Sequence, residues 1–226
     1  KKIFNEADDK LNYKISNIIL EGPEEQLKLT QNTQPAILTV SYAIFSVLKS
    51  EFNFDFKNTR FFAGHSLGEY SALVCTESLK FIDALYLLFE RGKSMQEAVP
   101  PNQGTMIAVL GMTIDEIENE IELLPKNEIC EIANDNSNGQ VVVSGEVKAI
   151  QSLNNSLKKK KKRGIILPVS APFHCSMMKG AAESMKEKIN QTNFVKFKPA
   201  VVSNVTAKEE IDTLTVKSLL IDQITS

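Results

Sequence analysis

Net charge, cysteine, arginine and histidine are all scarce in this chain, and each scarcity narrows what it can do. A formal charge of −2 over 226 residues offers no broad field for a phosphate backbone, so no nucleic-acid partner is expected. The three cysteines, Cys75, Cys130 and Cys175, stand far apart without a Cys-x-x-Cys pair. That argues against a disulfide framework and a zinc site, and makes a reducing compartment the default. No apolar run approaches the roughly 20 residues that cross a bilayer. No signal peptide opens the sequence either, so a soluble chain with no membrane partner is expected. Only Arg60, Arg91 and Arg163 occur against a large excess of lysine, with much asparagine and isoleucine, a bias typical of A/T-rich coding. Where lysine is the common cation, a retained arginine is more often present for its planar fork, which draws attention to Arg91.

Against these absences stands one dense motif. Residues 59–63 form an apolar strand pattern that runs into Gly64-His65-Ser66-Leu67-Gly68 and then into a helical pattern. Strand, Gly-x-Ser-x-Gly and helix in that order make a nucleophile elbow. Gly64 and Gly68 are expected to let strand and helix pack closely, leaving the Ser66 hydroxyl exposed at the helix N-terminus. There the Leu67 N–H faces a developing oxyanion. Ser66 is the candidate nucleophile.

The remaining pattern is that of an α/β protein. Residues 34–48 are almost continuously apolar with Pro35 near the start, which predicts a buried helix whose first turn holds the proline. A second helix is predicted over 82–98, ended by Pro100 and Pro101. From residue 104 the predicted order is strand 106–110, helix 114–124, strand 129–133, turn 136–139, strand 140–144, helix 147–160 and strand 165–169. This β-α-β-β-α-β order is the ferredoxin-like signature. The expected fold is therefore a parallel-sheet, hydrolase-like α/β core, residues 1–103 and 171–226, with an inserted ferredoxin-like subdomain, residues 104–170. A helix over 172–190 and a buried strand over 200–205 complete the core. The basic run 158–163 is either a solvated helix end or a contact for an acidic partner.

Ser66 needs a base, and the sequence holds two histidines. His65 adjoins the nucleophile and should point away from it, which leaves His174. At the start of the predicted 172–190 helix, His174 precedes Met178, Ala181, Met185 and Ile189 at helical spacing. That places it on the core stripe, where the helix dipole would keep the ring neutral and able to accept a proton. A core histidine without chemistry is the alternative. Arg91, on the second helix, could grip a carboxylate with two charge-assisted hydrogen bonds or pair with Glu69 or Glu90 on the surface. Asn134 and Asn136 lie in a polar stretch, 134–139, that turn chemistry alone would explain.

Taken together, these residues resemble the malonyl-CoA:acyl carrier protein transacylases of type II fatty-acid synthesis, relatives of the acyltransferase domains of polyketide and fatty-acid synthases. The similar segments run nearly end to end: Glu21-Gly22-Pro23-Glu24-Glu25-Gln26, Thr33-Gln34-Pro35-Ala36, the elbow through Ala72, Glu90-Arg91-Gly92 through Ala98, residues 134–143, Pro172-Phe173-His174 and Val202-Ser203-Asn204-Val205. The resemblance implies a ping-pong transfer with Ser66 and His174 as catalytic dyad, Leu67 as oxyanion-hole donor, and Arg91 on the free malonyl carboxylate. It places Asn134 and Asn136 along the cleft, and Phe173 where bulk opposes a branched substrate. It implies malonyl-CoA as substrate, no cofactor or metal, and acyl carrier protein as partner of a monomeric enzyme. An acidic carrier would meet a basic surface, for which Lys179, Lys186 and Lys188 are candidates.

Two departures accompany the resemblance. Such enzymes begin with a strand and a Gly-Gln-Gly-type loop whose glutamine completes the oxyanion hole, and this sequence starts beyond it. It also stops before the expected position of the segment whose backbone carbonyl orients the histidine. A serine acyl hydrolase, with Asp83, Asp115 or Asp135 as the acid, and a carrier-binding module with little turnover are the alternatives. The A/T bias beside bacterial-type lipid synthesis suggests a plastid-like organelle (apicoplast) of a eukaryotic parasite; a bacterial cytoplasm is the alternative location.

Overall fold

The computed structural model describes residues 1–56, 58–169 and 171–226. In chain order its elements are α1 (Lys2–Leu11), α2 (Ile15–Glu21), α3 (Glu24–Leu27), α4 (Thr30–Ser50), β1 (Phe61–Ala63), α5 (Leu67–Cys75), α6 (Phe81–Glu97) and β2 (Gly104–Leu110). They continue with α7 (Ile114–Glu122), β3 (Cys130–Ser137), β4 (Gln140–Glu146), α8 (Val147–Lys159), β5 (Arg163–Ile166), a 3-10 turn (Ser176–Met178), α9 (Lys179–Gln191), β6 (Ala200–Val202), β7 (Glu209–Glu210) and α10 (Thr213–Asp222). Two compact units divide the chain: Lys1–Ser94 with Ser184–Ile221, and Met95–Glu183 with Asp222–Ser226.

The first unit holds the elbow. Its sheet, β1-β6-β7, is mixed rather than parallel throughout: β1 and β6 run parallel with Ala63 opposite Val202, and β7 returns antiparallel to β6. The strand expected over 200–205 stops at Val202 because the chain folds back at once, with the Ser203 N–H donating to the Lys208 carbonyl at 3.0 Å. Helix α4 starts five residues before Pro35, so the proline lies inside the helix and not in its first turn. Its early residues are buried, including Asn32, Gln34, Ala36, Leu38 and Thr39. Beyond Thr39 the helix turns outward, with Ile44 58% exposed; an apolar run reports burial poorly because much folded surface is itself apolar. Gly92 of α6 is a close-approach position: a Cβ there would lie 2.5 Å from the Thr30 carbonyl of α4.

In the second unit the sheet order is β3-β4-β2-β5, antiparallel throughout. Period-two alternation divides its faces. Ile107, Val109, Val141 and Val143 pack with Ile117 of α7 and Ala149, Ile150, Leu153 and Leu157 of α8, while Met106, Ala108, Ala133 and Val142 form the opposite face, against which Leu167, Val169 and Phe173 pack. β3 is longer than the expected 129–133. A two-residue turn, Asn138-Gly139, with Gly139 at φ 79°, connects it to β4, and register shifts between Ile132 and Asn134 and between Asp135 and Ser137 absorb two extra residues. β5 begins earlier than residue 165, where Arg163 pairs with Leu110, and ends before Pro168, which has no N–H for the ladder.

This unit exceeds the expected 104–170, whose last residue lies outside the described ones. The flanks pack on the sheet: a Cβ on Gly104 would lie 2.2 Å from the Pro172 ring, and Ser176 hydrogen-bonds Glu131 of β3. The helix predicted from residue 172 starts later. His174 at φ 57° and an extended Cys175 precede the 3-10 turn, and α9 follows. Met178, Ala181, Met185 and Ile189 are indeed buried, but His174 is off their stripe. No helix among the described residues is long and apolar enough to cross a membrane.

Candidate active site

In the first unit the elbow is a strained turn. Ser66 sits at φ 50°, ψ −110°, a conformation costing about 1–3 kcal/mol that persists only where its surroundings enforce it. A Cβ on Gly64 would lie 2.0 Å from the Gly68 carbonyl, so position 64 admits only glycine. Gly68 differs from expectation: a Cβ there meets nothing within 4 Å, and the tight approach depends on Gly64 alone. Leu67 opens α5, and its N–H is a first-turn amide without an intrahelical carbonyl, next in the chain to Ser66. His65 is exposed.

Arg91 reaches this turn from α6. It is 1% exposed, and so not the surface ion-pair partner that was one alternative. Its Nη2 donates to Ser66 Oγ at 3.0 Å and its Nη1 to Gln34 Oε1 at 2.7 Å. Burial pushes the guanidinium below its usual value, opposed by Tyr70 and Glu69. The Tyr70 ring centroid lies 5.9 Å from its Cζ, and burial raises the Tyr70 phenol to about 12. Glu90 pairs instead with Lys188 at 3.3 Å, which occupies one of the three lysines expected to face a carrier protein. Neither Gln34 nor Asn204 was expected among site residues. The Asn204 side chain accepts the Ser66 N–H at 2.5 Å and donates to the Gly64 carbonyl at 2.7 Å.

In the second unit His174 is buried, with Nδ1 2.7 Å from the backbone carbonyl of Gln223. A carbonyl can only accept, so Nδ1 carries a proton, and in the neutral ring Nε2 is then the atom with the lone pair. The carbonyl expected beyond the end of the sequence is thus supplied within it by Gln223, and no α-helix starts at His174 to supply the dipole expected to keep the ring neutral. Phe173 lies half-buried against Met106, Ala108, Ala133 and Val142. Asn134 and Asn136 sit on β3 rather than in a turn: Asn134 is half-buried opposite Val142, and Asn136 is the exposed extra residue of the second register shift. Ser66, Leu67 and Arg91 therefore come together in one unit, and His174, Phe173, Asn134 and Asn136 belong to the other.

Other nucleophiles are suppressed. Burial pushes the Cys75 thiol up to about 11 and Cys130 to about 12, and raises Cys175 also. Among the described residues no group of three or more His, Cys, Asp or Glu is placed to hold a metal ion.

Residues 3–218 match the acyl transferase domain model. Over its full length the chain is 41% identical to the malonyl CoA-acyl carrier protein transacylase of Bacillus subtilis, of which it covers 71%. Over 99% of its length it is 37% identical to the transacylase of the same name from Escherichia coli K12, covering 72% of that protein. The structure superposes on the acyl-carrier-protein-S-malonyltransferase of Bartonella henselae with a TM-score of 0.96 at 40% identity, covering all of this chain and 72% of the other. It also superposes on a malonyl-transacylase solved in complex with its type II polyketide acyl-carrier protein, with a TM-score of 0.95, 37% identity and the same coverage. These organisms are bacterial, which does not support the plastid-like organelle suggested by composition and agrees with the bacterial alternative.

Proposed function

The chain belongs to the acyl transferase domain family, and from that premise we propose that it moves a malonyl group from malonyl-CoA to the phosphopantetheine thiol of an acyl carrier protein in fatty-acid synthesis. Its malonyl transacylase relatives support the substrate and the carrier. The observation that carries the reading within the molecule is the buried Arg91 guanidinium 3.0 Å from Ser66 Oγ, a fixed cation beside the nucleophile.

Two half-reactions follow. Nε2 of His174 takes the Ser66 proton as Oγ attacks the thioester carbonyl, and the Leu67 N–H stabilises the oxyanion. The carbon–sulfur bond breaks, the proton passes from His174 to the departing CoA thiolate, and a malonyl-serine ester remains. Arg91 holds its free carboxylate through two parallel charge-assisted bonds, a role in which the substrate displaces the present Ser66 contact. The carrier thiol then gives its proton to His174 and attacks the ester, and Ser66 leaves as an alcohol with that proton. By the family resemblance, Asn134 and Asn136 are assigned to the substrate cleft and Phe173 to opposing a branched chain. No cofactor enters this scheme.

A hydrolase is the poorer reading because the His174 ring is oriented by a backbone carbonyl and not by Asp83, Asp115 or Asp135. Acetyl transfer would leave the buried guanidinium without a carboxylate, which penalises acetyl-CoA. Arg91→Ala is therefore expected to lower malonyl transfer by about 100-fold or more, since a charged hydrogen bond is worth about 1.5–3 kcal/mol, and to raise acetyl transfer by relieving that penalty. Side-by-side kcat/KM values for malonyl-CoA and acetyl-CoA test this, and an unchanged ratio refutes the carboxylate role.

A further inference from the structure

The strained Ser66 turn raises a question that Gly64 and α5 leave open, namely what holds the serine at φ 50°. Two hydrogen bonds reach it from a loop far away in sequence, and a third ties that loop to α5. The parallel register of β1 and β6, ending with Ala63 opposite Val202, brings the residues after each strand side by side. The loop after β6 is closed by the Ser203 N–H to the Lys208 carbonyl at 3.0 Å and by the Ala207 N–H to the Ser203 carbonyl at 2.9 Å. From it Asn204 projects onto the elbow. Its Oδ1 accepts the Ser66 N–H at 2.5 Å, and its Nδ2 donates to the Gly64 carbonyl at 2.7 Å. Its own backbone N–H donates to Glu69 Oε2 at 3.1 Å, and Glu69 is a 1% exposed residue of α5. One side chain thus spans both sides of the turn while its backbone is fastened to the helix that follows.

We propose that Asn204 is a positioning residue for Ser66, clamping the elbow in its reactive conformation by holding the Ser66 N–H and the Gly64 carbonyl at once. An amide suits this task because it offers one acceptor and one donor side by side. Residues of other shapes lose one half. Alanine removes both bonds; aspartate keeps the acceptor but sets a carboxylate oxygen against the Gly64 carbonyl. The inference rests on Ser66 being the acylated residue, as in the malonyl-serine reading, yet the clamp is a property of the elbow whatever acyl group it takes.

The full chain provides the test, with two measurements on wild type, Asn204→Ala and Asn204→Asp. The first is the single-turnover rate of malonyl-serine formation against malonyl-CoA concentration; the second is the rate of Ser66 labelling by a fluorophosphonate, which needs no malonyl group. Misplacement of a nucleophile by about 1 Å costs on the order of 100-fold. Asn204→Ala should therefore slow both reactions by roughly 10- to 100-fold, with the half-saturating malonyl-CoA concentration unchanged. Asn204→Asp should fall between alanine and wild type. A purely structural residue would lower thermal stability without this loss of the limiting rate. Rates within twofold of wild type in both variants overturn the clamp, as does a loss confined to malonyl-CoA affinity. If Asn204→Ala does not fold, Asn204→Asp decides alone, and a wild-type rate there overturns the proposal. Slowed fluorophosphonate labelling in a chain that never gains a malonyl group would uphold the clamp and reject the malonyl reading.

Discussion

At the scale of single residues, the proposed chemistry depends on few contacts of short range. The proximity of Ser66, Leu67 and Arg91 could be proposed from the sequence, because the elbow motif names the first two and the shortage of arginine draws attention to the third. Their supports could not. Gln34 meets Arg91 across 57 positions and Asn204 meets Ser66 across 138, and no periodicity or local motif encodes a side-chain hydrogen bond of that span. His174 could be proposed from the sequence as a base, but its surroundings could not: a left-handed residue ahead of a 3-10 turn resembles a helix start in sequence, and Gln223 contributes a backbone carbonyl that any residue would supply. The Gln34 contact gives a test of its own. Gln34→Leu removes a buried acceptor from a buried cation, a loss of about 1.5–3 kcal/mol, so KM for malonyl-CoA should rise at least tenfold. An unchanged KM would show that Arg91 needs no support from α4.

Among elements, alternation and turn residues predicted the strands and helices of the second unit well in kind and less well at their ends. The ends were set by partners: Arg163 joins β5 because Leu110 lies opposite, and β3 runs on to Ser137 because β4 is there to pair with it. Helices α1, α2, α3 and α10 were not among the expected elements. Between α7 and α8 a polar tie supplements the apolar packing. Glu120, 4% exposed, accepts from Ser156 Oγ at 2.6 Å and pairs with Lys160. Lys160 and Ser156 hold its carboxyl below the ordinary value of 4.5, against burial. A carboxyl with a lower pKa folded than unfolded adds stability above the unfolded value, and that stability is lost as pH falls through the folded one. Glu120→Gln should therefore lower stability near neutral pH by about 1 kcal/mol, a value discounted for the half-exposed lysine. The difference from wild type should shrink as the pH drops below 4.5. Urea denaturation at several pH values checks this, and a pH-independent difference would contradict it.

For the whole molecule, the sequence conveyed an α/β protein with a β-α-β-β-α-β segment, but not where its compact units divide. Division depends on which flanking residues pack on which sheet, as Pro172 and Ser176 do on the second unit. Of the three lysines proposed to meet an acidic carrier, Lys188 is engaged by Glu90, while Lys179 and Lys186 are exposed on α9. Lys186→Glu should raise KM for the carrier protein several-fold and leave that for malonyl-CoA unchanged; equal effects on both would remove this face from the docking surface. The central claim is that Ser66 carries a malonyl ester that waits for a thiol. Intact-mass spectrometry of the chain after mixing with malonyl-CoA, then with pantetheinylated acyl carrier protein, addresses it directly. The predicted result is one malonyl adduct, absent from Ser66→Ala, that persists in water and disappears when the carrier is added as malonyl-carrier forms. An adduct retained by Ser66→Ala, or one that water removes as fast as the carrier does, would contradict it.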